Sequence, residues 1–175
     1  LNEPTLDEEE NEKDRVAVPL YYKNHSIAQS IKTSASKSIE YVDVMMRRVG
    51  LPDRSVTLSI CANSSGKPGS EVSSATVTYD YFPDGAYNWV RFKFSTSVSI
   101  TGGTTYWIKL TCGAVKSKYT NYYRAAVEDG LGYLFGVFRI SANGTTWTTN
   151  SGTSPQDEET TKDVDLVFAV GGVNL

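Results

Sequence analysis

Hydrophobic and polar residues alternate with a period of two along most of the chain from Ile27 onward. In the segment WVRFKFS, the residues Val90, Phe92 and Phe94 share one side, and the residues between them share the other. This alternation predicts a β-strand with one face on a core and the other toward solvent. We therefore expect these three side chains to point inward.

Several other segments repeat the pattern and are separated by turn residues. The inward positions that they predict are Val42, Val44, Val56, Leu58, Ile60, Ile108 and Leu110. Asn143 and Gly144, between FRISA and TTWTT, predict a hairpin with a type I′ turn. Helical periodicity does not come between the predicted strands. Short strands separated by turns are typical of an all-β antiparallel sandwich or barrel.

The start of the chain departs from this pattern. Residues 1–15 are acidic and polar without periodicity, which favours a flexible arm. We assign residues 1–26 to an acidic N-terminal arm and residues 27–175 to a β-sandwich domain. The apolar residues of the arm are Val16, Val18, Leu20, Tyr21 and Tyr22. They predict either an assembly arm that adds to the sheet edge of a neighbouring subunit or a first strand that covers their own domain.

Charge and cysteine placement narrow the classes of partner. The net charge is −3 and no basic cluster extends beyond Arg47 and Arg48, which argues against nucleic acid. Apolar runs are shorter than the roughly 18 residues of a membrane helix, so we expect no membrane insertion.

Cys112 shares a strand face with Leu110, whereas Cys61 lies on the face opposite the apolar residues of its strand. This difference favours two unpaired thiols over a disulfide.

The residue types that catalysis needs do not form a recognisable set. The single histidine, His25, lies in the polar stretch YKNHS, which argues against a Ser-His-Asp triad or a zinc site. Glycoside hydrolysis needs two acids about 5–10 Å apart. The candidate acids are scattered along the chain: Asp43, Asp80, Asp84, Glu128 and Asp129. We therefore expect that the protein is not an enzyme.

The sequence does not indicate that a cofactor is required. It is compatible with a structural calcium ion. Asp163 and Asp165 precede the last strand, and Asp80 and Asp84 are a second pair. Carboxylates in sandwich loops supply the oxygen ligands that calcium prefers. The alternative is that Asp163 and Asp165 are edge and turn residues that accept hydrogen bonds from nearby amides.

Aromatic side chains are the best candidates for ligand binding. The chain has 11 tyrosines and 3 tryptophans, whose flat rings carry both an apolar face and a polar group. The positions predicted to face outward as ligand contacts are Trp89, Trp107, Tyr122, Tyr123 and Trp147, with Tyr79 and Tyr81 as further exposed aromatics. In a two-sheet fold such residues also become covered by a loop or by another subunit, and this alternative stays open.

Several motifs resemble a known family. They are AQSIKTSAS, IEYVDVMMRRVGLP, VTLSICANSSGKPGSEVSSATV, YNWVRFKFSTSVSITGGTTYWIKL, NYYR, GTTW and DLVFAV. In this order, between Ala28 and Val170, they are similar to choice-of-anchor domains, the jelly-roll-like β-sandwich modules of bacterial secreted proteins and phage structural proteins. The resemblance implies a non-catalytic, carbohydrate-binding-like module on an extracellular, cell-surface or virion protein, and it carries over no ligand residues.

We therefore predict an antiparallel, two-sheet, jelly-roll-like β-sandwich with a flexible N-terminal arm. The predicted function is surface attachment and adhesion through a glycan. The alternative is a structural subunit, such as a phage capsid decoration protein, a tail protein or a surface-filament subunit, whose partners are neighbouring subunits. A glycan binder exposes its aromatic residues as a monomer, whereas an assembly protein packs them against another chain.

Overall fold

The computed structural model of the chain describes residues 15–20, 25–113, 120–129, 136–149 and 164–175. Within these ranges almost all regular structure is β-strand. The strands are β1 (Arg15–Leu20), β2 (Ser26–Lys32), β3 (Lys37–Val49), β4 (Val56–Ser64), β5 (Lys67–Val77), β6 (Asn88–Ile100), β7 (Thr105–Cys112), β8 (Tyr122–Asp129), β9 (Phe138–Ser141), β10 (Thr148–Thr149), β11 (Val164–Leu166) and β12 (Phe168–Asn174). A 3₁₀ turn at Tyr79–Tyr81 precedes β6. The described part of the chain contains no helix that is long and apolar enough to cross a membrane.

The strands form two antiparallel sheets that pack face to face. Sheet A contains the hydrogen-bonded order β1-β8-β3-β6, and sheet B contains the order β2-β7-β4-β5. The chain thus passes repeatedly from one sheet to the other, which is the eight-strand arrangement of a jelly roll. The predicted fold class, an all-β antiparallel sandwich, is confirmed.

The four later strands extend this framework. β9 pairs with the free side of β2, and β10 pairs with β9, so both widen sheet B. β11 pairs with β8, whereas β12 pairs with β3. Between them, the N–H of Val167 donates to the carbonyl of Ala126 and its carbonyl accepts from the N–H of Met45, both at 3.0 Å. The C-terminal residues therefore join β3 to β8 beyond the four residues over which those two strands pair directly.

The core between the sheets follows the predicted alternation. Val90, Phe92 and Phe94 are buried while the residues between them are exposed. The seven other predicted inward positions, from Val42 to Leu110, are buried in the same cluster. Cys112 belongs to this core, whereas Cys61 lies in a separate cluster on the outer face of sheet B. These separate clusters confirm that the two cysteines lie on opposite faces of the sheet, and both thiols are unpaired.

One buried polar side chain connects the two sheets. Gln29 of β2 is fully buried, donates to Asp165 Oδ1 at 3.0 Å, and accepts from the backbone N–H of Leu166 at 3.0 Å. Both the donor and the acceptor of the amide thus have partners on β11, which offsets the cost of burying it. This contact fixes the position of β11 relative to sheet B.

Part of the predicted N-terminal arm is a strand of the sandwich. Arg15–Leu20 pairs in register with residues 123–128 of β8, and Leu20 is fully buried in the core. Within this single chain, Val16, Val18 and Leu20 therefore occupy the first-strand position rather than an arm outside the domain. Tyr21 and Tyr22 lie outside the described residues. Pro19 fits at this place because β1 is the outermost strand of sheet A.

The connection between β9 and β10 differs from the predicted two-residue turn. The strands do pair, but the loop covers residues 142–147. Asn143 Oδ1 accepts hydrogen bonds from the backbone N–H groups of Thr145 and Thr146, at 2.9 and 2.7 Å. The asparagine therefore organises a wider turn through its side chain, as asparagine commonly does in loops.

Candidate functional site

The five aromatic residues predicted to contact ligand fall into two groups. Trp107 and Tyr123 are buried, so the prediction that they face solvent is wrong. Trp147 and Tyr122 are half-buried, and Trp89 is 37% exposed. Only these last three remain accessible to a ligand.

Trp107 points away from the core, as predicted, but sheet B is covered at that position. The ring packs against Ala28 and Cys61, with Trp147 over them. Its indole N–H donates to Asn63 Oδ1 at 2.9 Å, and the guanidinium of Arg139 lies 5.9 Å from the ring centre. Because β9 and the loop after it carry Arg139 and Trp147 across this face, the tryptophan becomes part of a second, smaller apolar cluster.

Tyr123 belongs to the main core. Its hydroxyl donates to the backbone carbonyl of Arg54, and its ring lies 4.6 Å from the ring of Phe82. Burial raises the pKa of this phenol above its usual value. Neighbouring residues of a strand point to opposite faces, so Tyr122 and Tyr123 could not both have faced solvent. The sequence contained this signal.

Trp89 lies on the outer face of sheet A within a group of aromatic and charged side chains. Asp43 of β3 and Arg91 of β6 are opposite each other and form a two-bonded ion pair, with distances of 2.8 and 2.7 Å. The Arg91 guanidinium lies 3.7 Å from the ring centre of Tyr41. The hydrogen bonds that Arg91 donates to Asp43 raise the pKa of the guanidinium, so its positive charge is fixed. We call Trp89, Tyr41, Arg91 and Asp43 the Trp89 platform.

Tyr41 is held close to the sheet by the strand beside it. Gly171 of β12 pairs with Tyr41, and a Cβ atom at position 171 would lie 2.0 Å from the tyrosine Cζ atom. The ring therefore lies flat over a position that only glycine leaves open. This packing and the Arg91 contact together fix the orientation of the Tyr41 ring.

The outer face of sheet A continues beyond the platform toward β8. Met45, Ala126 and Val167 form a buried cluster with Tyr87 against it. Arg47 lies over the Tyr87 ring at 5.1 Å, and Arg124 lies over the Tyr122 ring at 5.5 Å. Aromatic rings and arginines thus continue across three strands of this face.

The described residues do not bring together a set of side chains that would bind calcium. In the described ranges, no three His, Cys, Asp or Glu residues are grouped as a metal site would require. Asp165 accepts the hydrogen bond from Gln29, and Asp163 lies outside the described residues. Asp80 accepts from Thr78, while Asp84 lies 3.5 Å from Arg48. Asp165 therefore fits the alternative, in which it is an edge residue that accepts a hydrogen bond from an amide.

The candidate catalytic residues are also placed apart or engaged. Asp43 forms the ion pair with Arg91, and Glu128 and Asp129 lie in β8 of sheet A. His25 precedes β2, and its burial lowers the pKa of the imidazole. On the described surface, the Trp89 platform is therefore the arrangement best suited to hold a ligand by stacking and hydrogen bonding.

Comparison with known proteins assigns no family. No protein-family model matches the chain, and a search of curated proteins finds no match. The resemblance to choice-of-anchor domains stays a prediction.

Proposed function

We propose that the protein is a non-catalytic attachment module that binds a glycan on the Trp89 platform. The observation that carries the proposal is an exposed tryptophan beside a charged, hydrogen-bonding pair on the open face of sheet A. The family resemblance would place this module outside the cell, on a cell surface or on a virion.

The chemistry of the platform matches the two kinds of surface that a sugar presents. Sugar rings have apolar C–H faces, which stack on the rings of tryptophan and tyrosine, and polar hydroxyl edges, which form hydrogen bonds. Arg91 supplies N–H donors beside the rings and its side chain remains 56% exposed, while Asp43, 15% exposed, holds the guanidinium in place. Because the ion pair and Gly171 already fix these groups, binding costs little additional ordering.

The spacing of the platform favours a chain of sugars over a single one. Trp89 pairs with Met45, and Tyr41 lies four residues from Met45 along β3. At about 3.3 Å per residue, the two aromatic positions are about 13 Å apart along the strand direction. A ligand that contacts both therefore spans more than one ring.

The second candidate function, a structural subunit, is favoured by a different observation. Val173 and Leu175 are exposed on and after β12. Exposed apolar side chains at the end of a sheet suit contact with a neighbouring subunit. A size measurement separates the candidates, since a glycan binder is expected to be monomeric and an assembly subunit is expected to associate.

Glycan-array and titration measurements on the whole chain test the main proposal. Trp89→Ala should weaken binding at least about tenfold, which corresponds to about 1.4 kcal/mol. The matched control is Tyr81→Ala, because Tyr81 is 74% exposed but lies on the 3₁₀ turn outside the platform. The wild-type chain should release no sugar from any bound glycan. Equal binding by the two variants would contradict the platform.

A further inference from the structure

Two arginines lie directly opposite each other on the outer face of sheet A. Arg47 of β3 pairs in register with Arg124 of β8, and both are half-buried. Like charges directly opposite on antiparallel strands destabilise a sheet unless something offsets their repulsion. We call these two residues the arginine pair.

Within the described ranges, neither member of the pair has an acidic partner. Salt bridges form at Arg48, Arg54 and Arg91, and the arginine pair is not among them. Asp43, four residues before Arg47 on the same strand, is already bonded to Arg91. Arg91 and the arginine pair lie on strands of the same sheet. Among the described residues, Arg91 has a carboxylate partner and the arginine pair has none.

One carboxylate lies close to Arg47: Asp84 precedes Gly85, whose carbonyl accepts from Arg47, but its own salt bridge is with Arg48. The strand register around Arg124 offers no nearby charge of opposite sign. On the far side of β8, the residue opposite Arg124 is Pro19. Glu128 is opposite Arg15, four residues farther along β8. At about 3.3 Å per residue, that register position lies about 13 Å from Arg124.

The protein orients both guanidinium groups but leaves part of their hydrogen-bonding capacity unused. Arg47 Nη1 donates to the carbonyl of Gly85 at 2.6 Å, and the rings of Tyr87 and Tyr122 support the two arginines. The Nε atoms of Arg47 and Arg124, like the hydroxyl of Tyr87, are shielded from solvent and have no hydrogen-bond partner within the described part of the chain. These shielded Nε atoms are closed to an acceptor from outside, so the donors that a ligand can reach are the terminal Nη groups of the two half-buried side chains.

We propose that the arginine pair binds the carboxylate or sulfate group of an acidic polysaccharide. This inference rests on the proposed function and specifies its ligand class. Arginines at two directly paired strand positions offer several N–H donors to an anion, and such charge-assisted bonds are stronger than neutral ones. The pair adjoins the Trp89 platform, because Trp89 is opposite Met45, two residues from Arg47. A chain stacked on Trp89 can therefore place an acidic group on the pair.

The test uses the full chain and polysaccharides that differ in charge. Dextran and dextran sulfate differ only in sulfate, polygalacturonate supplies carboxylates, and poly-L-glutamate is a polyanion without sugar. Arg47→Gln and Arg124→Gln are each expected to weaken binding to an acidic polysaccharide about tenfold or more. Lys67→Gln is the control, because it removes one positive charge from an exposed position on β5 of sheet B, away from the platform. It should change binding less than about twofold.

Further variants keep the test decisive. Arg124→Lys retains the charge but removes the planar fork, so it should weaken binding by more than Lys67→Gln does. This variant replaces Arg124→Gln if the glutamine variant has a lowered unfolding midpoint. Preference for dextran sulfate over polygalacturonate, or the reverse, assigns the anion.

Two results would overturn the inference. The first is equal binding of acidic polysaccharide by Arg47→Gln, Arg124→Gln and Lys67→Gln, which would show that overall charge alone acts. The second is binding of poly-L-glutamate as tight as that of the polysaccharides. Trp89→Ala distinguishes failure of this inference from failure of the proposed function. If Trp89→Ala still abolishes glycan binding, the Trp89 platform is supported and only the anion site is refuted. If the wild-type chain binds no glycan, both proposals fail.

Discussion

Replacing Phe92 by alanine tests the packing between the two sheets. Phe92 is fully buried, pairs with Val42 on β3, and meets the ring of Phe82 edge-on at 6.4 Å between ring centres. Removing a buried phenylalanine side chain forfeits its transfer free energy and leaves a cavity, which together cost about 3–5 kcal/mol. The lost contact with the Phe82 ring adds to this cost, so we expect a loss of stability in the upper half of that range.

Urea unfolding of the purified chain measures this loss directly. In a thermal melt, at about 2–4 °C per kcal/mol for a chain of this size, a loss of about 4–5 kcal/mol should lower the midpoint by roughly 8–20 °C. The control is Lys93→Ala, the exposed neighbour on the same strand, which should change stability by about 0.5 kcal/mol or less. If Phe92→Ala shifts the midpoint no more than Lys93→Ala does, the assignment of inner and outer faces on β6 is inverted.

Three other expectations concern backbone packing, protonation and the thiols. Gly172→Ala should cost about 1–3 kcal/mol in urea unfolding, because the new Cβ would lie 1.9 Å from the carbonyl oxygen of Ser38; a neutral result would refute this close contact. Burial lowers the pKa of His25 below 6.5, so the unfolded chain binds a proton more readily and stability should fall as the pH drops below that value. His25→Gln should remove that part of the pH dependence, and an unchanged slope in melts at successive pH values would count against it. Cys61 and Cys112 are buried and unpaired, and burial raises the pKa of Cys112 to about 12, so both thiols should react with Ellman's reagent only after unfolding. Rapid labelling of the native chain would contradict this.

The fold could be predicted from the sequence because one physical signal repeats along the chain. Period-two alternation assigned the inner faces of β3, β4, β6 and β7, and it also separated Cys61 from Cys112. The signal depends only on neighbouring residues in each strand, so it needs no knowledge of which strands pair.

The site was harder to predict because exposure depends on what covers each face. Alternation correctly turned Trp107 away from the core, but the residues that cover it come from β9 and the loop after it. The arginine pair also depends on how distant segments come together. The sequence places Arg47 on an outer face, yet only the strand register brings Arg124 opposite to it. Such pairings between distant segments are set by tertiary structure.

The most direct test of the account is NMR observation of the indole N–H groups during titration with a bound polysaccharide. The chain has three tryptophans, and they occupy different environments. Trp89 is on the open face of sheet A, while Trp107 and Trp147 pack together on sheet B. We expect the Trp89 signal to shift with ligand concentration while the Trp107 signal stays in place. A titration that moves the Trp147 signal and leaves Trp89 unchanged would contradict the claim that sheet A carries the binding site.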